Sequence, residues 1–142
     1  MDDGGRIEIA KRGYRAFDRR DADALAEIMH PDAEVHAVTG VVAQHSEPYV
    51  GRRGLENYVR DVERVWDELK LMPQTFTPLA GERLLVSGRV LVRRGATRMD
   101  IPSAWLWEFE DDLVRVVRIL SDPQSIEVLR GERAEEGEAP QP

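Results

Sequence analysis

The chain has 142 residues, of which 42% are hydrophobic and 33% charged, and this composition is typical of a single folded domain rather than a disordered chain. The formal net charge of -7 argues against general binding to nucleic acid or to an anionic membrane surface. Because the chain contains no cysteine, the sequence also excludes disulfides, thiolate catalysis and cysteine-based zinc sites.

The first residues are polar and include Gly4 and Gly5, so we expect residues 1–6 to be disordered. They lack the basic and then apolar order of a secretory signal. No apolar run approaches the roughly 20 residues that span a bilayer. The sequence therefore predicts a cytoplasmic protein that has no membrane segment.

Two helices are predicted at the start of the domain. The first begins at Ile7, where apolar residues start to recur at intervals of three or four. Asp21 is placed to cap a second, shorter helix, and the sequence His30-Pro31-Asp32 ends it. The apolar positions are Ile7, Ala10, Tyr14 and Phe17 in the first helix and Leu25, Ile28 and Met29 in the second.

A strand follows the second helix, because the side chains of residues 33–38 alternate with a period of two. Val35 and Ala37 then share one face of this strand, and His36 lies on the other. If Val35 and Ala37 face the interior of the protein, His36 points away from it.

A long helix and then an antiparallel meander complete the domain. The all-strand pattern begins after Pro73, and tight turns separate strands predicted at about 74–80, 83–94, 97–109 and 113–121. A last short helix is predicted from about Asp122 to Gly131. The apolar stripe that predicts the long helix consists of Leu55, Tyr58, Val59, Val62, Trp66 and Leu69.

Helices segregated from a largely antiparallel sheet indicate an α+β fold. The periodic pattern predicts one domain over residues 7–130. Residues 131–142 are acidic and contain proline, so we expect a disordered tail.

Three segments of the sequence resemble the SnoaL-like proteins of the nuclear-transport-factor-2-like superfamily, whose relatives include polyketide cyclases, ketosteroid isomerases and limonene-epoxide hydrolases. The segments are AFDRRDADALAEIMHPDAEVH, PYVGRRGLENYV and AWLWEFEDDLVRVVRILSDPQSIEVL. The resemblance implies a cone-shaped curved sheet wrapped around a long helix, with an apolar cavity, and a homodimer formed through the sheet. It implies no single reaction, because this fold hosts several kinds of enzyme as well as binding proteins.

The catalytic positions of these relatives carry unreactive residues in this chain. The general base of the isomerases would fall at Ala37, and the residues that hold water in the epoxide hydrolases would fall at Val35 and Ala37. The acidic hydrogen-bond donor of the isomerases would fall at Trp105, whose indole donates but is no acid. The last-strand aspartate of the hydrolases would fall at Ile119. We therefore predict a ligand-binding cavity lined by Tyr14, Val35, Ala37, Trp105 and Ile119.

Three residues remain as catalytic candidates, and each has a structural alternative. Asp122 is either a proton carrier at the edge of the cavity or the N-cap of the last helix. His36 is either a general acid or base or a packed histidine on the far face of its strand. Tyr49 is expected at the mouth of the cavity, where its phenol could bond a ligand.

Neither a metal site nor a cofactor is predicted, because the three histidines lack metal-ligand spacing. One hypothesis is an enzyme of the cyclase or isomerase type that uses general acid/base chemistry on a small hydrophobic or polycyclic molecule. The second is a binding module without catalysis, since the catalytic residues of the relatives are unmatched. The third is a structural role, in which the sheet serves mainly for dimerisation.

Overall fold

A computed structural model of the protein describes residues 2–37, 39–40, 43, 48–120 and 123–133. The predicted α+β fold is confirmed, with helices packed on a curved six-stranded sheet. In chain order the elements are α1 (Asp3–Asp18), α2 (Ala22–Glu27), β1 (Met29–His36), β2 (Tyr49–Val50), α3 (Gly51–Val65), β3 (Glu68–Leu79), β4 (Arg83–Arg94), β5 (Thr97–Glu110), β6 (Leu113–Leu120) and α4 (Pro123–Arg130).

The strands lie in the order β2-β1-β6-β5-β4-β3. Strands β3 to β6 form the predicted antiparallel meander. Strand β1 runs parallel to β6 and antiparallel to the short β2, so the sheet is mixed. Because β1 pairs with β6, the first strand of the chain lies next to the last, and the two run in the same direction.

The two faces of the sheet carry different cores. The inner face packs against α1, α2 and α3 and includes the cross-strand pairs Val86–Trp105 and Trp107–Val117. On the outer face a smaller cluster of Leu79, Leu85, Ala104 and Leu106 lies under α4, against Ile126 and Leu129. Most of the apolar burial is therefore between the inner face and the first three helices.

Helix α1 begins at Asp3, four residues before the predicted start at Ile7. The Asp2 side chain accepts a hydrogen bond of 2.7 Å from the backbone N–H of Gly5, which caps the helix. Residues 3–6 are thus helical, where the sequence predicted disorder.

The long helix ends earlier than its apolar stripe predicts. Helix α3 stops at Val65, Trp66 has extended backbone angles, and the Asp67 N–H bonds the Arg93 carbonyl. Strand β3 then begins at Glu68, so Leu69 is buried in the sheet rather than on the helix.

Proline can stand within β3 because this strand is at the edge of the sheet. The register shifts between Pro73 and Thr75, and at edge strands and bulges a missing N–H breaks no ladder bond. The predicted strand start after Pro73 is therefore wrong by six residues.

Several predictions fall outside the described residues. Asp122 and residues 134–142 of the predicted tail are among them. The domain range 7–130 stays a prediction. Within the described part of the chain, no helix combines the length and apolarity needed to cross a membrane.

Candidate functional site

An inner cavity lies between the inner face of the sheet and helices α1 to α3. The space open to the centre of a water molecule is about 70 Å³, which corresponds to about five to seven waters at 10–15 Å³ each. Its wall is largely apolar and consists, among the described residues, of Gly13, Tyr14, Phe17, Leu25, Met29, Val35, His36, Ala37, Thr39, Leu55, Tyr58, Leu69, Leu71, Val90, Trp105, Trp107, Val117 and Ile119.

The five residues predicted to bind a ligand lie together in this wall. They come from α1, from the end of β1, and from the adjacent strands β5 and β6, where Trp105 pairs with Ile119. The strand positions among them are those to which the resemblance assigned the functional residues of the relatives. The five are Tyr14, Val35, Ala37, Trp105 and Ile119, and their role in binding stays a prediction.

Tyr14 joins α1 to the sheet through its hydroxyl and its ring. The Trp107 Nε1–H donates to the Tyr14 hydroxyl over 3.1 Å, and the Tyr14 ring meets Trp105 edge to face at 5.4 Å between centroids. Burial raises the pKa of Tyr14 well above its ordinary value. The phenol is therefore neutral near pH 7 and keeps its own hydrogen available for donation.

Tyr58 is a cavity residue that the sequence reasoning did not single out. It stacks on Phe17 with 5.3 Å between ring centroids, and burial raises its pKa well above the ordinary value. Among the described residues, its hydroxyl has no hydrogen-bond partner. Its position three residues after Leu55 on the apolar stripe of α3 was the available signal, since a phenol on a buried stripe brings a polar atom inside.

Two further residues of the wall, Trp105 and Thr39, carry polar groups. Trp105 is 5% exposed, and its indole N–H has no acceptor within the described part of the chain. Thr39 is buried, and its hydroxyl oxygen accepts from Trp66 Nε1 over 2.9 Å. The wall of the cavity is thus largely apolar and contains neutral hydroxyl and indole groups. No carboxylate occurs among the described wall residues.

His36 borders the cavity, but its ring lies on the outer side of β1. Its Nε2 is 3.0 Å from Oε1 of Glu34, two residues earlier on the same strand, and Glu34 also faces Arg115 at 3.9 Å. Residues two apart on a strand share a face, so the imidazole lies opposite the Val35 side chain. This placement favours the structural interpretation of His36.

The described residues contain no group of three or more acidic or histidine side chains arranged for a metal ion.

Tyr49 is absent from the described wall, and its expected place at the cavity mouth stays a prediction. Strand β2 pairs Tyr49 with Val35, and the Tyr49 ring packs behind Tyr58 at 5.1 Å between centroids. Its hydroxyl donates to Asp61 Oδ2 over 2.8 Å. Burial, and then the hydrogen bond to this carboxylate, raise the pKa of Tyr49 well above its ordinary value. The site of Asp122 lies outside the described residues.

Comparison with known families agrees with this geometry. The family model described as SnoaL-like domain matches residues 10–118. The chain belongs to the SnoaL-like domain family. The resemblance that the sequence suggested is therefore confirmed.

Solved structures of the same fold cover most of the chain. TerC co-crystallised with polyporic acid has a TM-score of 0.72 at 23% identity, over 88% of this chain and 97% of TerC. An NTF2-like protein of unknown function from Burkholderia pseudomallei has a TM-score of 0.72 at 21% identity, over 91% and 98%. A putative polyketide cyclase from Sinorhizobium meliloti has a TM-score of 0.63 at 18% identity, over 80% and 94%. At these identities the likeness supports the fold alone.

A curated relative matches a shorter part of the chain. The cell division protein ZapD of Bordetella pertussis is 35% identical over 83 residues, which is 57% of this chain and 33% of ZapD. The match thus spans about a third of the length of that relative.

Proposed function

We propose that this SnoaL-like protein binds a small, uncharged and largely apolar molecule in the inner cavity, and that the molecule carries an oxygen that accepts hydrogen bonds. The observation that supports the proposal most directly is a pair of donors that have no acceptor among the described residues, the Trp105 indole N–H and the Tyr58 hydroxyl. A donor in a largely apolar wall gains about 0.5–1.5 kcal/mol net when a ligand brings it an acceptor. A carbonyl or ether oxygen would supply that acceptor.

The same wall disfavours a charged ligand. No carboxylate, lysine or arginine lines the cavity among the described residues, and the raised pKa values keep Tyr14 and Tyr58 neutral. A buried ion without a partner is strongly unfavourable. The size of the cavity supports a small molecule rather than a polycyclic one.

Ligand isosteres test the proposal. Cyclohexanone and methylenecyclohexane have nearly the same shape, but only the ketone offers an acceptor. We expect the ketone to bind up to about tenfold more tightly in calorimetry, the gain typical of one net hydrogen bond. The preference should shrink in Trp105→Phe and in Tyr58→Phe and persist in His36→Gln, whose side chain faces outward. Equal affinity for the two compounds in the wild-type protein contradicts the proposal.

A second candidate function is general acid/base catalysis on a polyketide-like substrate. Two of the similar structures support it through their descriptions, a putative polyketide cyclase and a protein crystallised with polyporic acid. Asp122, next to the start of α4, would be its acid or base, with His36 as the alternative. The described wall contains no carboxylate, and the ring of His36 is bonded to Glu34, which is why binding without catalysis is the primary proposal.

Deuterium exchange separates the two candidates without a known substrate. An acid or base in the cavity would accelerate exchange of the cyclohexanone α-hydrogens in D₂O, followed by NMR. Under the catalytic alternative, Asp122→Asn or His36→Gln lowers that rate by about 10²–10⁴. Under the binding proposal the wild-type protein gives no acceleration.

We also propose a homodimer through the outer face of the sheet and a location in the cytoplasm. Among the described residues, helix α4 covers only the part of this face around Leu85 and Leu106, which leaves room for a second copy. Sedimentation at micromolar concentration tests the dimer, and a monomer there contradicts it. Fractionation of cells tests the location.

A further inference from the structure

A surface groove lies beside the inner cavity, where the end of α1 meets the start of β3. Its lining includes Arg20, Lys70, Arg93 and Met99. Among the described residues, Leu69 is the one that borders both the groove and the inner cavity. Leu69 therefore lies between the two spaces.

Arg20 holds this separating wall together. Its guanidinium donates from Nη1 to the Phe17 carbonyl and from Nη2 to the Leu69 carbonyl, each over 2.7 Å. The same group lies 4.5 Å from the centroid of the Phe17 ring. Phe17 and Leu69 both line the cavity, so one side chain ties together the two backbone segments that carry the wall.

The other connection in this region is weaker. Lys70 on β3 and Asp18 on α1 form an ion pair of 3.8 Å, but their side chains are 59% and 64% exposed. Exposed pairs of this kind contribute little, whereas the part-buried fork of Arg20 satisfies two carbonyls. Arg20 also has a φ of 55°, in the left-handed region that a β-carbon disfavours. This conformation closes the C-terminus of α1, where the Asp21 N–H bonds the Ala16 carbonyl and the Arg20 N–H bonds the Phe17 carbonyl.

We propose that the groove is the entrance to the inner cavity and that Arg20 is the latch that closes it. When the guanidinium releases the Leu69 carbonyl, the end of α1 and the start of β3 can separate, and the cavity opens at Leu69. This inference rests on the proposed function, since it concerns how the ligand reaches the cavity. It assigns Arg20 a positioning role, because its side chain acts through Phe17 and Leu69 rather than on the ligand.

Acrylamide quenching of tryptophan fluorescence tests the latch without any ligand. Trp105 and Trp107 line the cavity and are 5% and 3% exposed, so a Trp66→Phe background limits the emission to these two. We expect Arg20→Ala to raise the quenching constant up to about tenfold, in line with the loss of the one net hydrogen bond from this side chain to the Leu69 carbonyl. Arg20→Lys, which keeps the charge but cannot bridge both carbonyls as a fork, should fall between Arg20→Ala and the parent protein.

Lys70→Ala is the matched control, because it removes the exposed connection between the same two elements. We expect its quenching constant to equal that of the parent protein. Urea unfolding of each variant verifies that the protein is folded during the measurement, and Arg20→Lys provides the comparison if Arg20→Ala does not fold. Unchanged quenching in the folded Arg20 variants, or an equal rise in Lys70→Ala, overturns the proposal.

A second experiment includes the ligand and measures the association and dissociation rates of cyclohexanone from NMR line shapes. Association and dissociation should both be faster in Arg20→Ala while Kd changes little. If Arg20→Ala raises the quenching constant but the protein binds no cyclohexanone, the latch is supported and the proposed function is contradicted. If the protein binds cyclohexanone but Arg20→Ala leaves its exchange rates unchanged, the proposed function is supported and the latch is contradicted.

Discussion

The inner and outer faces of the sheet differ in how their polar groups are satisfied. On β1, Glu34 and His36 point outward and pair with each other at 3.0 Å, with Arg115 close to Glu34. Val35 on the same strand points inward to a wall whose polar groups are phenols and indoles. Charges are paired on the face that reaches solvent, whereas the enclosed face carries neutral donors. The comparison teaches that, among the described residues, this strand turns its carboxylate away from the cavity, whose wall holds neutral donors.

The largest expected effect is the removal of apolar volume from the inner face. Leu84 is fully buried and pairs with Trp107. We expect Leu84→Ala to lower the free energy of unfolding by about 2–5 kcal/mol, measured by urea denaturation.

Arg89→Ala is the matched change on the outer face. Arg89 bonds Asp100 at 2.6 Å, but the two side chains are 39% and 55% exposed, so its loss should change stability by about 0–1 kcal/mol. A loss as large as that of Leu84→Ala would contradict the contrast between the faces.

The two cavity tyrosines give the next largest difference. Tyr14→Phe leaves the buried Trp107 N–H without its acceptor, and we expect it to lower the free energy of unfolding by about 1–3 kcal/mol. Tyr58→Phe removes a hydroxyl that has no partner among the described residues, so its stability should stay near that of the parent. Equal losses in the two variants would show that the Tyr58 hydroxyl has a partner in the folded protein.

Alkaline pH sharpens the same comparison. The ordinary tyrosine pKa is 10.0, and burial raises the pKa of Tyr58 well above it. Above about pH 10 the unfolded state therefore binds fewer protons than the folded state, so stability is fully present below that pH and falls as the pH rises.

Tyr58→Phe should remove up to about 1.4 kcal/mol per pH unit from that slope. Thermal unfolding from pH 9 to 11.5 measures it. An unchanged slope would contradict the enclosed position of the phenol.

The smallest expected effect belongs to the outward-facing histidine. His36→Gln removes a half-exposed pair with Glu34 and should change stability by no more than about 0.5 kcal/mol. Affinity for cyclohexanone should be unchanged. A clear loss of that affinity would place the imidazole in the cavity and favour the catalytic alternative.

The sequence predicted those parts of the site that depend on strand alternation. The resemblance indicated that Val35 and Ala37 lie on the cavity side, and the period of two then placed His36 opposite, because side chains on a strand alternate. The position of Tyr49 depended instead on the pairing of the two-residue strand β2, which turns its hydroxyl to Asp61 on α3. No local pattern encodes that contact.

Two other features were beyond sequence periodicity. The apolar stripe from Leu55 to Leu69 predicted a helix that extends past Val65, where the helix ends. The pattern could not show this end, because Leu69 is buried on β3 just as it would be on a helix. The contact of Arg20 with the Leu69 carbonyl joins residues 49 apart in the chain. Such contacts are set by tertiary packing, to which single-sequence patterns are blind.

The most direct test of the central claim is the indole N–H resonance of Trp105 during titration with cyclohexanone. The chain has three tryptophans, so three indole signals are expected, and Trp105→Phe assigns the one that matters. We predict that the ketone moves the Trp105 indole proton downfield, as a new hydrogen bond requires, while methylenecyclohexane does not. A Trp105 signal that is unaffected by saturating ketone, or that responds equally to both compounds, would contradict a cavity that recognises an oxygen acceptor.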